Sequence, residues 1–228
     1  MAVEIATVRQ NSYGNWSEGQ DRAARSNRRG ELVTINSIQQ FVADGRVFAA
    51  NSGAGTTPVT FAGAYDADAP DYHIHVPNGT AIIPVRIEVM FEAVGTESTM
   101  EILALASDTG DASATGTALT AMNLRIDNPR ESVCTATGSI DAAGITDPNA
   151  NHYIEFWRTM RPLTDTVATG ENDRLPLVFT WSALQDGPAP VIVGHATRGS
   201  ALAVYAASQA GTGFINVTWI ELPSESVT

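Results

Sequence analysis

The chain has 228 residues, 43% of them hydrophobic, and a formal net charge of -12. All 13 basic residues are arginine, and the absence of lysine excludes a Walker-type phosphate loop, Schiff-base chemistry and a Ser-x-x-Lys acyl-transfer site. Residues 1–46 hold six Arg against five acids, for +1, and residues 47–228 hold seven Arg against twenty acids, for -13; so acidic a body repels nucleic acid and anionic membranes.

The single cysteine, Cys134, allows no intrachain disulfide and suits a reducing compartment. A body of about 180 residues buries roughly 70% of its unfolded-chain surface, so it needs no metal or disulfide to fold. The opening "MAVEIATVRQ" contains an acid and no apolar core, so no signal peptide is expected. No apolar stretch approaches the roughly 18 residues of a membrane helix.

In chain order, residues 1–45 read as an extended N-terminal arm. "NSYGNWSEGQDRAARSNRRGE" is rich in Gly, Asn, Ser and Arg and has no periodic apolar pattern, so it buries too little surface to offset the entropy of ordering. Tyr13, Trp16, Arg22, Arg25, Arg28 and Arg29 are its candidate partner-binding residues, with an acidic protein surface the expected target. "SIQQFVADG" (37–45) is the one short helix candidate.

Residues 46–228 read as strands. In "AIIPVRIEVMFEAV" (81–94) the odd positions are all apolar and the even ones include Arg86, Glu88 and Glu92, the period of a half-buried antiparallel strand. Pro84 then requires an edge or a bulge. Further strands are expected over 71–76, 100–107, 118–126, 132–139, 152–160, 175–182, 190–196, 201–208 and 214–222, about ten in all, separated by loops such as "SDTGDASATGT". The fold class is all-β, an antiparallel two-sheet β-sandwich with a jelly roll as leading topology. An immunoglobulin-like sandwich lacks its Cys–Trp–Cys spacing here.

Within "DYHIHV" (71–76), Tyr72, Ile74 and Val76 share the core-facing parity. His73 and His75 share the other, which places them toward solvent or a subunit interface, where imidazoles confer pH sensitivity. Two ligands do not make a catalytic metal site, and the glutamate that follows His-x-His in cupins is replaced by Asn78 and Gly79. Neither a metal nor another cofactor is expected. Asp66, Asp68 and Asp71 form an acidic loop without the Gly and final Glu of a calcium loop.

No catalytic residues emerge. There is no Gly-x-Ser-x-Gly elbow, Cys134 reads as core, and Glu88 and Glu92 lie roughly 13 Å apart along one strand, too far for paired glycosidase acids. Trp157, Trp181 and Trp219 read as core or interface residues.

Residues 19–93 carry a resemblance: the Gly/Arg-rich arm, the "RRGELV" strand, "VFAAN", "TTPVTFAG" and the "VPNGTAIIPVRIEV" pair. The stretch resembles tailed-phage head decoration, or cement, proteins, which are β-sandwiches seated on the capsid, often as trimers, with arms over neighbouring subunits. The resemblance implies a non-enzymatic virion protein, assembled in the host cytoplasm, that binds the major capsid protein on the capsid surface as a homotrimer. It implies contact with neither nucleic acid nor membrane. A carbohydrate- or receptor-binding module of a phage tail or fibre is the alternative on the same sandwich.

Overall fold

The computed structural model describes residues 37–94, 99–127, 130–146, 153–162, 177–208 and 210–227. The predicted "RRGELV" strand and the six arm residues from Tyr13 to Arg29 lie outside these. By internal contacts the chain divides into residues 1–41 and 42–228. One short helix, α1 (Ser37–Ala43), forms where the sequence suggested it.

Among the described residues of the larger unit there are thirteen strands: β1 (Val47–Asn51), β2 (Val59–Phe61), β3 (Tyr72–Val76), β4 (Thr80–Val94), β5 (Thr99–Ser107), β6 (Thr117–Leu119), β7 (Met122–Asn123), β8 (Thr135–Gly138), β9 (Tyr153–Pro162), β10 (Leu177–Ser182), β11 (Ile192–Val193), β12 (Ser200–Ala206) and β13 (Gly211–Pro223). They build two antiparallel sheets. The first runs β10-β4-β13-β1-β7, with β11 also on β4 and β2 also on β13; the second runs β6-β8-β3-β12-β5-β9.

One apolar core lies between the sheets. Ile87, Val89, Phe91, Phe179, Trp181, Val217 and Trp219 come from the first sheet, and Tyr72, Ile74, Val76, Ile102, Leu202 and Val204 from the second. Several core rings pack edge-on, as with Phe91 against Phe179 and Phe156 against Trp181, while Phe48 and Trp219 stack. A hydrogen bond also crosses the sandwich, from Tyr72 Oη to the Ala50 carbonyl at 3.2 Å. Trp157, on the edge strand β9, is only partly buried against this core.

The expected parity of β4 holds for Ile87, Val89 and Phe91 but fails before them. Ile82 joins the core, whereas Ile83 and Val85 are only half-buried. The cause is a bulge: β13 pairs Thr218 with Arg86 and Trp219 with Pro84, skipping Val85. An extra residue on one strand reverses which parity faces inward. Pro84 sits beside this irregularity, a position of the kind that accepts a residue without an N–H.

Three other segments are shorter than predicted. The 118–126 segment breaks into β6 and β7, with a turn from Leu124, because Thr120 and Ala121 carry the chain from one sheet to the other. Only Ile192 and Val193 of 190–196 pair with β4. Cys134 is buried but precedes β8 instead of lying inside it.

Candidate functional site

The inward parity of β3 is as expected, with Tyr72, Ile74 and Val76 in the core. The outward parity is not open to solvent. His73 is 1% and His75 9% exposed within this single chain. His73 pairs with Thr137 of β8 and Ala203 of β12, and His75 with Thr135 and Ala201. Above this face the β5–β6 loop and the β11–β12 loop come together. A Cβ at Gly110 would lie 2.8 Å from His75 Nδ1, and one at Gly199 would lie 2.2 Å from His75 Cε1. Gly199 also has a φ of +67°, which only glycine adopts without strain. The ring of His75 is wedged between two backbones that tolerate no side chain.

Neither nitrogen of His73, nor Nδ1 of His75, has a hydrogen-bond partner among the described residues. Burial pushes His73 down to about 4, with repulsion from His75 adding to the effect and Asp111 opposing it. Burial lowers His75 as well, again against Asp111. Both imidazoles are therefore neutral at pH 7. Among the described residues no group of three His, Cys, Asp or Glu side chains is placed to hold a metal ion.

Asp71, on the same outward parity, departs from the solvated acidic loop the sequence suggested. It is buried, and its Oδ1 and Oδ2 accept the backbone N–H groups of Ala62 and Ala206, each at 2.7 Å. Burial raises it to about 6, while the hydrogen bonds to the anion pull the other way. Asp68 caps a second turn, accepting from Ala143 N at 3.2 Å.

A second buried carboxylate escaped the sequence reading. Glu221 of β13 is fully buried and meets the segment leading into β8. Ser132 Oγ donates to its Oε2 at 2.7 Å, Val133 N to its Oε1 at 3.3 Å, and the Arg130 guanidinium lies 3.4 Å from Oε1. Arg130 also covers the Phe48 ring, at 5.9 Å from its centroid. The only signal in the sequence was an acid inside the apolar run "TWIEL". Burial and the neighbouring Glu221 push the Cys134 thiol well above its ordinary range. These buried acids and the thiol thus serve packing and chain connection.

What remains open is surface. A groove of about 400 Å³ runs between β11 and the β5–β9 edge, lined by Ser107, Tyr153, Ile154, Pro190, Val191 and Val193. Tyr153, Ile154, Val191 and Val193 are all substantially exposed. On another rim, Met122, Leu124, Ile126 and Val133 are exposed, Ile126 almost completely at 97%.

No family model matches the chain, and no curated protein does. Among solved structures it is similar, with 9% identity and a TM-score of 0.19, to the infectious bursal disease virus VP2 subviral particle. That alignment covers 80% of this chain and 43% of the viral one, so this chain spans less than half of that protein's length.

Several charges beside these rims are paired within the chain. Asp108, next to the groove, pairs with Arg198 at 2.6 Å, and Arg125, beside Ile126, pairs with Asp127 at 2.9 Å. On the β9 edge, Arg158 pairs with Glu155 at 2.5 Å and with Glu101. The rims therefore offer apolar contact area edged by neutralised charge. That chemistry suits adhesion, since apolar patches rimmed by polar groups mark interaction sites.

Proposed function

We propose that the protein is a virion structural protein, a decoration or cement protein that binds the outer surface of a tailed-phage head and clamps neighbouring major capsid subunits. The observation that carries this reading is the pair of apolar rims on a double-sheet body whose buried acids, among the described residues, serve internal bonds. A capsid shell supplies many identical sites, so several modest contacts add up. In a homotrimer the linked copies raise the effective concentration of each contact further. The arm, through Tyr13, Trp16, Arg22, Arg25, Arg28 and Arg29, is assigned the role of strap, its arginines meeting acidic patches on the shell.

The test is co-sedimentation with shells assembled from the major capsid protein of the same virus. Full-length protein is expected to pellet with the shells, and protein lacking residues 1–30 to stay in the supernatant while keeping its melting temperature. Undiminished binding after deletion removes the strap from the reading. No binding by the full chain removes the capsid role altogether. Recognition of defined glycans on an array would transfer the function to a receptor-binding module, with Tyr153 beside the groove as its stacking platform.

A further inference from the structure

The outer face of the second sheet carries an arrangement that the capsid reading does not use. Asp71, just before β3, and His73 and His75 on it share one parity of the strand, and all three are buried within their own chain. The cover over His75 has two halves. One is the β5–β6 loop, which brings Gly110 against His75 and the Ser200 carbonyl, and Asp111 close enough to act on both imidazoles. The other is the end of the β11–β12 loop, Arg198 and Gly199. Arg198 joins them, donating through Nε to the Asp108 carbonyl at 2.9 Å and through Nη2 to Asp108 Oδ2 at 2.6 Å.

We propose that these two loops form an acid-released lid over β3 and β12, which stays shut only while His73 and His75 are neutral. His73 has two buried nitrogens and His75 one with no partner, so the closed lid provides no acceptor for an added proton on any of them. The neighbouring strands present only Thr135 and Thr137 from β8 and Ala201 and Ala203 from β12 at paired positions. The charged groups around the pair are few. Asp71 holds Ala62 and Ala206, Asp108 holds Arg198, and Asp111 accepts from Ser113 N at 2.8 Å and Thr146 Oγ1 at 3.4 Å. Asp111 eases protonation, but one carboxylate held by the lid's own turn does not neutralise two adjacent imidazolium ions. Two like charges on one strand face, cut off from water, repel each other, and opening the lid hydrates both.

The depressed histidine values place the transition below the ordinary imidazole range and extending down to about pH 4. Opening exposes the small apolar side chains Ala201 and Ala203 beside the histidines, so acid changes the surface the protein presents.

Amide hydrogen exchange on the full-length protein, corrected for the intrinsic pH dependence of exchange, tests this between pH 7.5 and 4. Peptides covering 108–116 and 194–199 are expected to gain at least tenfold in exchange as the pH falls, while β4 and β13 stay protected. Replacing both histidines, His73→Leu with His75→Leu, is expected to keep the lid protected throughout. The single variant His75→Gln, which keeps a polar side chain, serves as control for a folding failure and should shift the transition to lower pH. Equal lid protection at both pH extremes overturns the proposal. So does acid opening that persists unchanged in the double variant, since Asp108 or Asp111 would then be its cause.

Discussion

Asp71 and Ala206 are joined by a 2.7 Å hydrogen bond that spans 135 residues of sequence, from the residue before β3 to the last residue of β12. The other carboxylate oxygen holds Ala62, so one side chain fixes the loop entering β3 and the end of its neighbouring strand. Burial raises Asp71 from 3.8 to about 6, which means that folding favours its protonated form. Its contribution is therefore full below about pH 4 and is lost as pH rises through about 6, a swing of about 3 kcal/mol. Relative to Asp71→Asn, the wild type is expected to gain up to about 3 kcal/mol between pH 7 and pH 4. Urea denaturation at both pH values measures this, and a constant difference would contradict it.

Glu221 plays the matching part at the other end of the sandwich, tying β13 of the first sheet to the entry of β8 in the second. Removing it by Glu221→Ala leaves Ser132 Oγ, Val133 N and the Arg130 guanidinium without their shared acceptor. Arg130 is partly exposed and can hydrate, so the cost is that of the part-buried donors left unsatisfied, about 1–3 kcal/mol. The same variant loosens the cover over Cys134, whose thiol burial keeps protonated. Native wild-type protein is expected to resist a thiol-specific reagent until it unfolds, whereas Glu221→Ala reacts before its melting transition.

The strand pattern was legible wherever one parity was apolar and the other wet, as at Ile87, Val89 and Phe91 beside Arg86, Glu88 and Glu92. It misled at Ile82, Ile83 and Val85, where both parities are apolar and alternation carries no direction. Only the register against β13 reveals the bulge there. The burial of His73 and His75 was illegible for a different reason. The cover over His75 is made by Gly110 and Gly199, remote in sequence, and glycines signal a turn without saying what lies under it. The roles of Asp71 and Glu221 were hidden because a buried acid and an exposed one are the same letter. The difference lies in backbone N–H groups supplied by other strands.

Gly213 supplies a test of the bulged sheet. It sits at the second irregularity of the β4–β13 ladder, between Thr212 and Gly213, where a Cβ would fall 1.9 Å from the Met90 carbonyl oxygen. No flexible side chain can yield there, because the obstacle is backbone. Gly213→Ala is expected to cost about 1–3 kcal/mol or more, as a core overpacking defect does. The loss should appear in thermal unfolding and as faster exchange in β4 and β13. A melting temperature within a degree of wild type would show that the strands separate freely at this point.

His73 yields the least intuitive expectation. Its ring nitrogens are buried without partners, so His73→Leu removes two unsatisfied polar atoms while keeping most of the volume. At pH 7 this should stabilise the protein by about 1–3 kcal/mol, against the usual direction of a buried substitution. Acid widens the gap. Because folding depresses His73 to about 4, its neutral form contributes stability above the ordinary value of 6.5 that is lost as pH falls through about 4, a change of about 3 kcal/mol. Asp71 moves in the opposite sense over nearly the same range. His75, also depressed by burial, adds to the acid loss, so between pH 7 and 4 the unfolding free energy of His73→Leu should run above the wild-type trend and that of Asp71→Asn below it. Parallel slopes for all three proteins would mean that neither residue titrates in the folded state as its surroundings require.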